Sequence, residues 1–178
     1  WPKDEELLIT WINNTARDKK IIFAPHQVHD GHIEQIIKNL AEPAILFTKA
    51  DPGNLNSCRI MIIDTIGVLS RIYKYAHIAY IGGAFGTGLH NILEPAAFGI
   101  PVVFGPDHKK FWEAGKLIDS GGAFSIWNKE GLNNILEKLF DDNGYYSKTC
   151  KVTRQFMESN RGATTIIAQE IDNILRKE

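Results

Sequence analysis

The stretch Ala79-Tyr-Ile-Gly-Gly-Ala-Phe-Gly-Thr-Gly-Leu-His-Asn-Ile-Leu-Glu-Pro-Ala-Ala-Phe-Gly-Ile-Pro-Val-Val-Phe-Gly-Pro106 decides the fold. It opens with an apolar run, His77 to Ile81, of the length and composition of a buried strand. Gly82 to Gly86 then supplies three glycines in five residues, where backbone can take positive φ and a ligand can approach closely. His90-Asn91 precedes a helix-like apolar run, Ile92 to Phe98, and Val102 to Phe104 is a second buried strand after Pro101. Strand, glycine loop, helix, strand is a unit whose loop and free helix N–H groups can hold an anion. Glu94 falls one turn into that helix, where a carboxylate can accept hydrogen bonds from sugar hydroxyls. The chemistry points to a nucleotide or nucleotide-sugar site.

Working outward, the same alternation recurs. Helices are expected at Asp4 to Asn13, Gly31 to about Leu40 (with Asp30 as cap), Gly67 to Tyr73, Lys110 to Asp119, Lys129 to Phe140, Tyr145 to Glu158 and Gly162 to Arg176. Strands are expected at Ile21 to Ala24, Ala44 to Phe47, Ile60 to Ile63 and Ala123 to Ile126, besides the two already named, and Asp51 to Asn56 has the composition of a loop. Most of these strands are continuous apolar runs, which predicts a parallel sheet covered on both faces: an α/β, doubly wound parallel six-stranded sheet. Ligands of such sheets bind at the carboxyl ends of the strands. The loops that matter are then Pro25-His26, Asp64 to Val68, Gly82 to Asn91 and Gly105 to Lys109.

Composition narrows the classes. The 178 residues carry a formal net charge of −1, which argues against nucleic acid as a partner, and suit one domain, 1–178. Cys58 and Cys150 are the only cysteines and have no metal-site spacing, so they read as reduced thiols. No run approaches the length of a membrane helix. The chain opens on Trp1 rather than Met and reads as a piece of something longer.

Several patterns invite a sharper reading and are weighed against a plainer one. Gly86-Thr87-Gly88-Leu89-His90-Asn91 imitates a dinucleotide fingerprint, but Asn91 replaces the third glycine and the unit lies mid-chain. No Gly-x-x-x-x-Gly-Lys-Ser/Thr occurs, which excludes a P-loop. His26, His29 and His32 are three apart, a spacing poorly suited to tetrahedral metal ligation from one helix face, and no metal is expected. Glu94 could be an ordinary solvated helix residue. Its apolar neighbours favour a ligand-binding role, because a carboxylate among them needs a partner. Asn91 suits an N-cap and a phosphate-side position alike. Asp107-His108-Lys109-Lys110 is a charged cap in which Lys109 or Lys110 could meet an anion, and Asp64 could simply order the loop around Gly67.

These residues together resemble a known family. Ala24-Pro25-His26, Asp64-Thr65-Ile66-Gly67-Val68-Leu69, Tyr80-Ile81-Gly82-Gly83, Gly88-Leu89-His90-Asn91-Ile92-Leu93-Glu94-Pro95, Pro101-Val102-Val103-Phe104-Gly105-Pro106 and Asn160-Arg161-Gly162-Ala163 resemble, in order, the C-terminal half of the 3-deoxy-D-manno-octulosonic acid (Kdo) transferases. The resemblance implies a Rossmann-like C-terminal domain of a GT-B glycosyltransferase that binds CMP-Kdo. Its expected CMP contacts are Pro25, His26, Ile66, Gly67, Val68, Asn91, Ile92, Leu93 and Glu94, with Gly82, Gly83, Gly88 and His90 in support. Many members carry Arg where His26 stands. The resemblance also implies no cofactor and no metal. It places no catalytic residue in this chain, since the base, the membrane anchor and the lipid A precursor site belong to an N-terminal domain. It sets the whole enzyme at the cytoplasmic face of the bacterial inner membrane, and it packs the last helix (Ile166, Ile167, Ile171, Ile174) against that domain. A UDP-sugar transferase or nucleotide-sugar 2-epimerase of the same fold, and a non-catalytic nucleotide-binding module, are the competing expectations.

Overall fold

The computed structural model describes residues 1–15, 18–86 and 88–176, with backbone alone at 163–166. In chain order it contains α1 (Pro2–Asn14), β1 (Ile21–Phe23), α2 (Asp30–Asn39), β2 (Ala44–Leu46), α3 (Pro52–Leu55), β3 (Ile60–Ile62), α4 (Leu69–Ile72), β4 (Ala79–Ile81), α5 (Leu93–Ala96), β5 (Val102–Phe104), α6 (Trp112–Ser120), β6 (Ala123–Ser125), α7 (Lys129–Asp141), α8 (Asn143–Ser159) and α9 (Ala163–Leu175). Short 3₁₀ turns follow β2 and α4.

All strand pairing among the described residues is parallel, but the strands form two groups of three rather than one ladder of six. β3 lies between β1 and β2, and β5 lies between β4 and β6. Three-residue strands offer few ladder bonds, and side-chain packing joins the two groups instead. Val103 of β5 shares a core with Phe23 of β1 and with Ile60 and Ile62 of β3. Against that core lie Ile9, Trp11 and Ile12 of α1, Ile33 and Ile36 of α2, and Leu132, Leu136 and Leu139 of α7. The opposite face of β4 and β5 presents Ala79, Ile81, Val102 and Phe104 to Ala96 of α5 and to Ala114 and Leu117 of α6. Successive residues of β5 thus enter different cores, as the two-residue period of a strand requires. Each such fully buried aliphatic side chain contributes about 1.5–3 kcal/mol.

Covering on both faces holds for the second group and only partly for the first. Ile22 of β1 is 42% exposed. The connections leaving β2 and β3 carry only single turns of helix, so neither supplies a long helix to shield it. Two caps also differ from expectation. His29, not Asp30, caps α2, its ring nitrogen accepting from the His32 N–H. The Asp51-to-Asn56 segment is not a loop throughout, because Asp51 and Asn54 form a reciprocal capping box that starts α3.

One buried cation ties the first half together. Arg59 is 8% exposed. It donates to the carbonyls of Ile12 in α1 and Lys19 ahead of β1, and pairs with Glu42 ahead of β2.

Candidate nucleotide site

Parallel strands put every strand-to-helix loop on one edge. β1 and β3 are neighbours, so Pro25-His26 and Asp64 to Val68 emerge side by side. The loop after β4 meets them through its histidine: the His26 and His90 rings are 5.1 Å apart, and Trp1 stacks on His26 at 4.2 Å. Pro25 is buried, while His26 and His90 are accessible.

The glycine loop is held tightly. Gly83 has φ +96, and a side chain there would collide with the Gly88 carbonyl. Gly88 N–H donates to the Gly83 carbonyl at 2.9 Å, and His90 N–H to the Gly82 carbonyl at 3.3 Å. The loop therefore closes on itself and delivers His90-Asn91 to the strand edge. Thr87, at its tip, lies outside the described residues.

The expected helix from Ile92 to Phe98 is a single turn, α5, with Pro95 inside it. So short an element carries little macrodipole, and the expected anion site at a helix N-terminus is correspondingly weak. Its first N–H is also taken: Asn91 accepts from Leu93 N–H at 3.0 Å and donates to Glu94 at 3.1 Å. Asn91 thus serves as a cap in effect, one residue before the formal N-cap Ile92.

Glu94 is not immersed in apolar surroundings. Ile92, Pro95 and Ala96 turn inward, whereas Asn91, Glu94, Ala97 and Phe98 turn outward. Helical periodicity separates sequence neighbours that read as one apolar run. The carboxylate, oriented by Asn91, stands open at the edge with accepting capacity to spare. Its charge reaches Tyr73, whose phenol is pushed up to about 12, first by burial and then by Glu94.

Ile66 is 84% exposed, an apolar side chain offered to the solvent at the same edge, and Gly67 beside it has φ +86. Leu93 is half-buried. Asp64 does not order the Gly67 turn by side-chain bonds. It accepts instead from the N–H and hydroxyl of Thr48, at 3.0 and 2.5 Å. Burial opposes its ionisation, but the Thr48 bonds prevail and hold its carboxyl below the usual range. Lys109 and Lys110 are exposed, and Asp107 N–H bonds the Ala84 carbonyl, so the loop after β5 packs on the glycine loop.

The three spaced histidines do not converge. His26 faces His90, while His32 bonds Glu5 at 3.1 Å. Among the described residues no group of three or more His, Cys, Asp or Glu side chains could hold a metal ion.

One buried carboxylate beside the site escapes sequence reading. Asp4 of α1 is buried against the glycine loop, accepting from Tyr80 and Gly83. Its position in an exposed-looking charged run, Lys3-Asp4-Glu5-Glu6, hides it. Only its helical spacing from Trp1 and Leu8 points inward.

Curated proteins named 3-deoxy-D-manno-octulosonic acid transferase align with most of the chain. That of Rickettsia typhi is 34% identical over 148 residues, covering 80% of this chain and 32% of the relative. The chain is similar to the Kdo transferases. The protein of that name from Rickettsia felis is 32% identical with 98% of this chain and 39% of its own length covered, and that from Chlamydia trachomatis serovar D is 32% identical with 79% and 33% covered. The chain thus spans about a third of the length of the curated relatives it matches. No protein-family model matches it.

Solved structures agree on the fold. The C-terminal CMP-Kdo binding domain of WaaA from Acinetobacter baumannii superposes with a TM-score of 0.75 at 20% identity, over 88% of this chain and 83% of that one. Spinosyn forosaminyltransferase SpnP superposes at 0.52 and 12%, over 93% and 46%. The expected Rossmann-like architecture of parallel strands alternating with helices is the one observed.

Proposed function

We propose that residues 1–178 form the donor-binding half of a glycosyltransferase that moves Kdo from CMP-Kdo to a lipid A precursor. The observation that carries the proposal is the alignment of most of the chain with curated Kdo transferases. The geometry supports it, since His26, His90, Asn91 and Glu94 meet at the carboxyl edge of the strands.

In this reading Glu94 accepts from the ribose hydroxyls of CMP, and Asn91 holds that carboxylate in place. Ile66 to Val68 border the base, the apolar Ile66 side chain covering one face of it. His26 and the His90-Asn91 backbone meet the phosphate and stabilise the departing CMP. The rest of the parent protein supplies the base that activates the acceptor hydroxyl, the acceptor surface, and contact with the inner membrane. No helix among the described residues is long and apolar enough to cross a membrane. The reaction takes no cofactor and no metal, the leaving group being stabilised by hydrogen bonds alone.

Calorimetric titration with CMP and UMP tests the proposal. CMP binds more tightly than UMP, and Glu94→Ala weakens CMP about tenfold or more, the loss of charge-assisted bonds to two hydroxyls. A preference for UMP instead supports a UDP-sugar enzyme of the same fold. Equal affinities that Glu94→Ala leaves untouched overturn the assignment.

A further inference from the structure

We propose that Asp4 is a positioning residue for the nucleotide site: its carboxylate, reaching from α1 across to the loop after β4, fixes the glycine loop in its ligand-ready shape. This rests on the donor-site reading above.

Asp4 is 3% exposed. A carboxylate so buried is costly unless hydrogen-bonded. Each of its oxygens takes one bond from a distant part of the chain: the Tyr80 hydroxyl donates at 2.7 Å and the Gly83 N–H at 3.1 Å. Both partners donate to it, so the carboxylate serves at this point as a two-oxygen acceptor. Burial and the Asp4 bond together push the Tyr80 phenol up, which keeps it a donor.

The bond to Gly83 is the first of a series. The Gly83 carbonyl accepts from Gly88 N–H, the Gly82 carbonyl accepts from His90 N–H, and the His90 ring faces His26. Asn91 follows and orients Glu94. Gly83 sits at φ +96 with no room for a side chain, so nothing but its backbone can anchor this point. Loss of the Asp4 carboxylate removes the bond that ties the Gly83 backbone to α1, and the loop loses its tether to the helix. The neighbouring residues of the same helical turn brace the same edge: Trp1 stacks on His26, and Glu5 bonds His32. Helix α1 therefore contributes to the site although none of its carboxylates is placed on the nucleotide.

The test compares the wild-type chain with Asp4→Asn, which keeps one acceptor oxygen and loses the other, and Asp4→Ala, which removes both. Amide hydrogen exchange is followed residue by residue, and CMP affinity by calorimetry. Exchange at Gly83, Gly88 and His90 accelerates in the order wild type, Asn, Ala, while exchange at Leu132 and Leu136 in α7 is unchanged. CMP affinity falls in the same order, by about threefold and then about tenfold or more, as expected for one and then two lost bonds. Acceleration spread evenly over the chain, or unchanged loop exchange with unchanged CMP affinity, overturns the proposal. Should Asp4→Ala fail to fold, the wild-type and Asn pair decides by the same criteria. If the wild-type chain does not bind CMP, the donor reading fails, and loop exchange alone then decides whether Asp4 holds the loop.

Discussion

In the proposed donor site His26 and His90 stand on the phosphate side, their rings 5.1 Å apart. Desolvation by its neighbours, then the charge of His26, hold the His90 imidazole below its ordinary pKa, with Asp4 pulling the other way. A histidine depressed in the folded state contributes stability above its unfolded value, and that contribution is lost as pH falls through about 6.5 and below. The melting temperature of the wild type should therefore drop between pH 7.5 and 5.5 by more than that of His90→Gln. Equal drops would assign the acid sensitivity elsewhere. At position 26 a guanidinium, which the resemblance to the Kdo transferases implies there, would add a permanent, forked donor. His26→Arg should tighten CMP by about tenfold at pH 8. Calorimetry at pH 8 checks this, and an unchanged CMP affinity would count against a phosphate beside position 26. Gly83→Ala is the harshest single change at the site. Positive φ and the Gly88 carbonyl both oppose a methyl group, so stability should fall by about 2 kcal/mol or more in denaturant unfolding.

Among the elements, the single-turn α5 and the strand-end loops form the candidate site with α1 bracing it, while the long helices α2 and α7 cover the strands. Strong periodicity made α1, α2, α7 and α8 legible from sequence, their boundaries shifting by only a residue or two. The Ile92-to-Phe98 run was misleading because its apolar density comes from residues on both sides of one turn. Only the inward ones are buried, and Glu94 escapes to the surface. Continuous hydrophobicity alone does not reveal that separation. Likewise the capping box at Asp51 and Asn54 turns a loop-like composition into a helix start. Arg59 is the element-scale surprise: it precedes a strand in sequence, yet it is buried and bonds α1 and the segments before β1 and β2. Arg59→Ala should cost about 3–5 kcal/mol, because Glu42 and two carbonyls lose their partner. Urea unfolding measures this. A cost under about 1 kcal/mol would show that water replaces the guanidinium freely.

For the molecule as a whole, the alternation of helices with apolar runs was enough to give the parallel α/β architecture and the edge at which its loops gather. The split into two groups of three strands was not legible, since apolar runs do not state which neighbours they pair with. Nor was the contribution of α1 to the far loop, a contact spanning 79 residues between one carboxylate and one N–H. On the apolar face of α9, Ile167, Ile171 and Ile174 are exposed, while Ile166 lies outside the residues whose side chains are described. Ile171→Lys should therefore leave the melting temperature of this chain nearly unchanged, within about 0.5 kcal/mol of stability. The donor site remains the central claim, and a crystal structure of the chain with CMP tests it most directly. The account predicts the ribose hydroxyls on the Glu94 carboxylate, the phosphate against His26 and His90-Asn91, and the base beside Ile66 to Val68. CMP bound away from Glu94, or on the far side of the glycine loop, would contradict it.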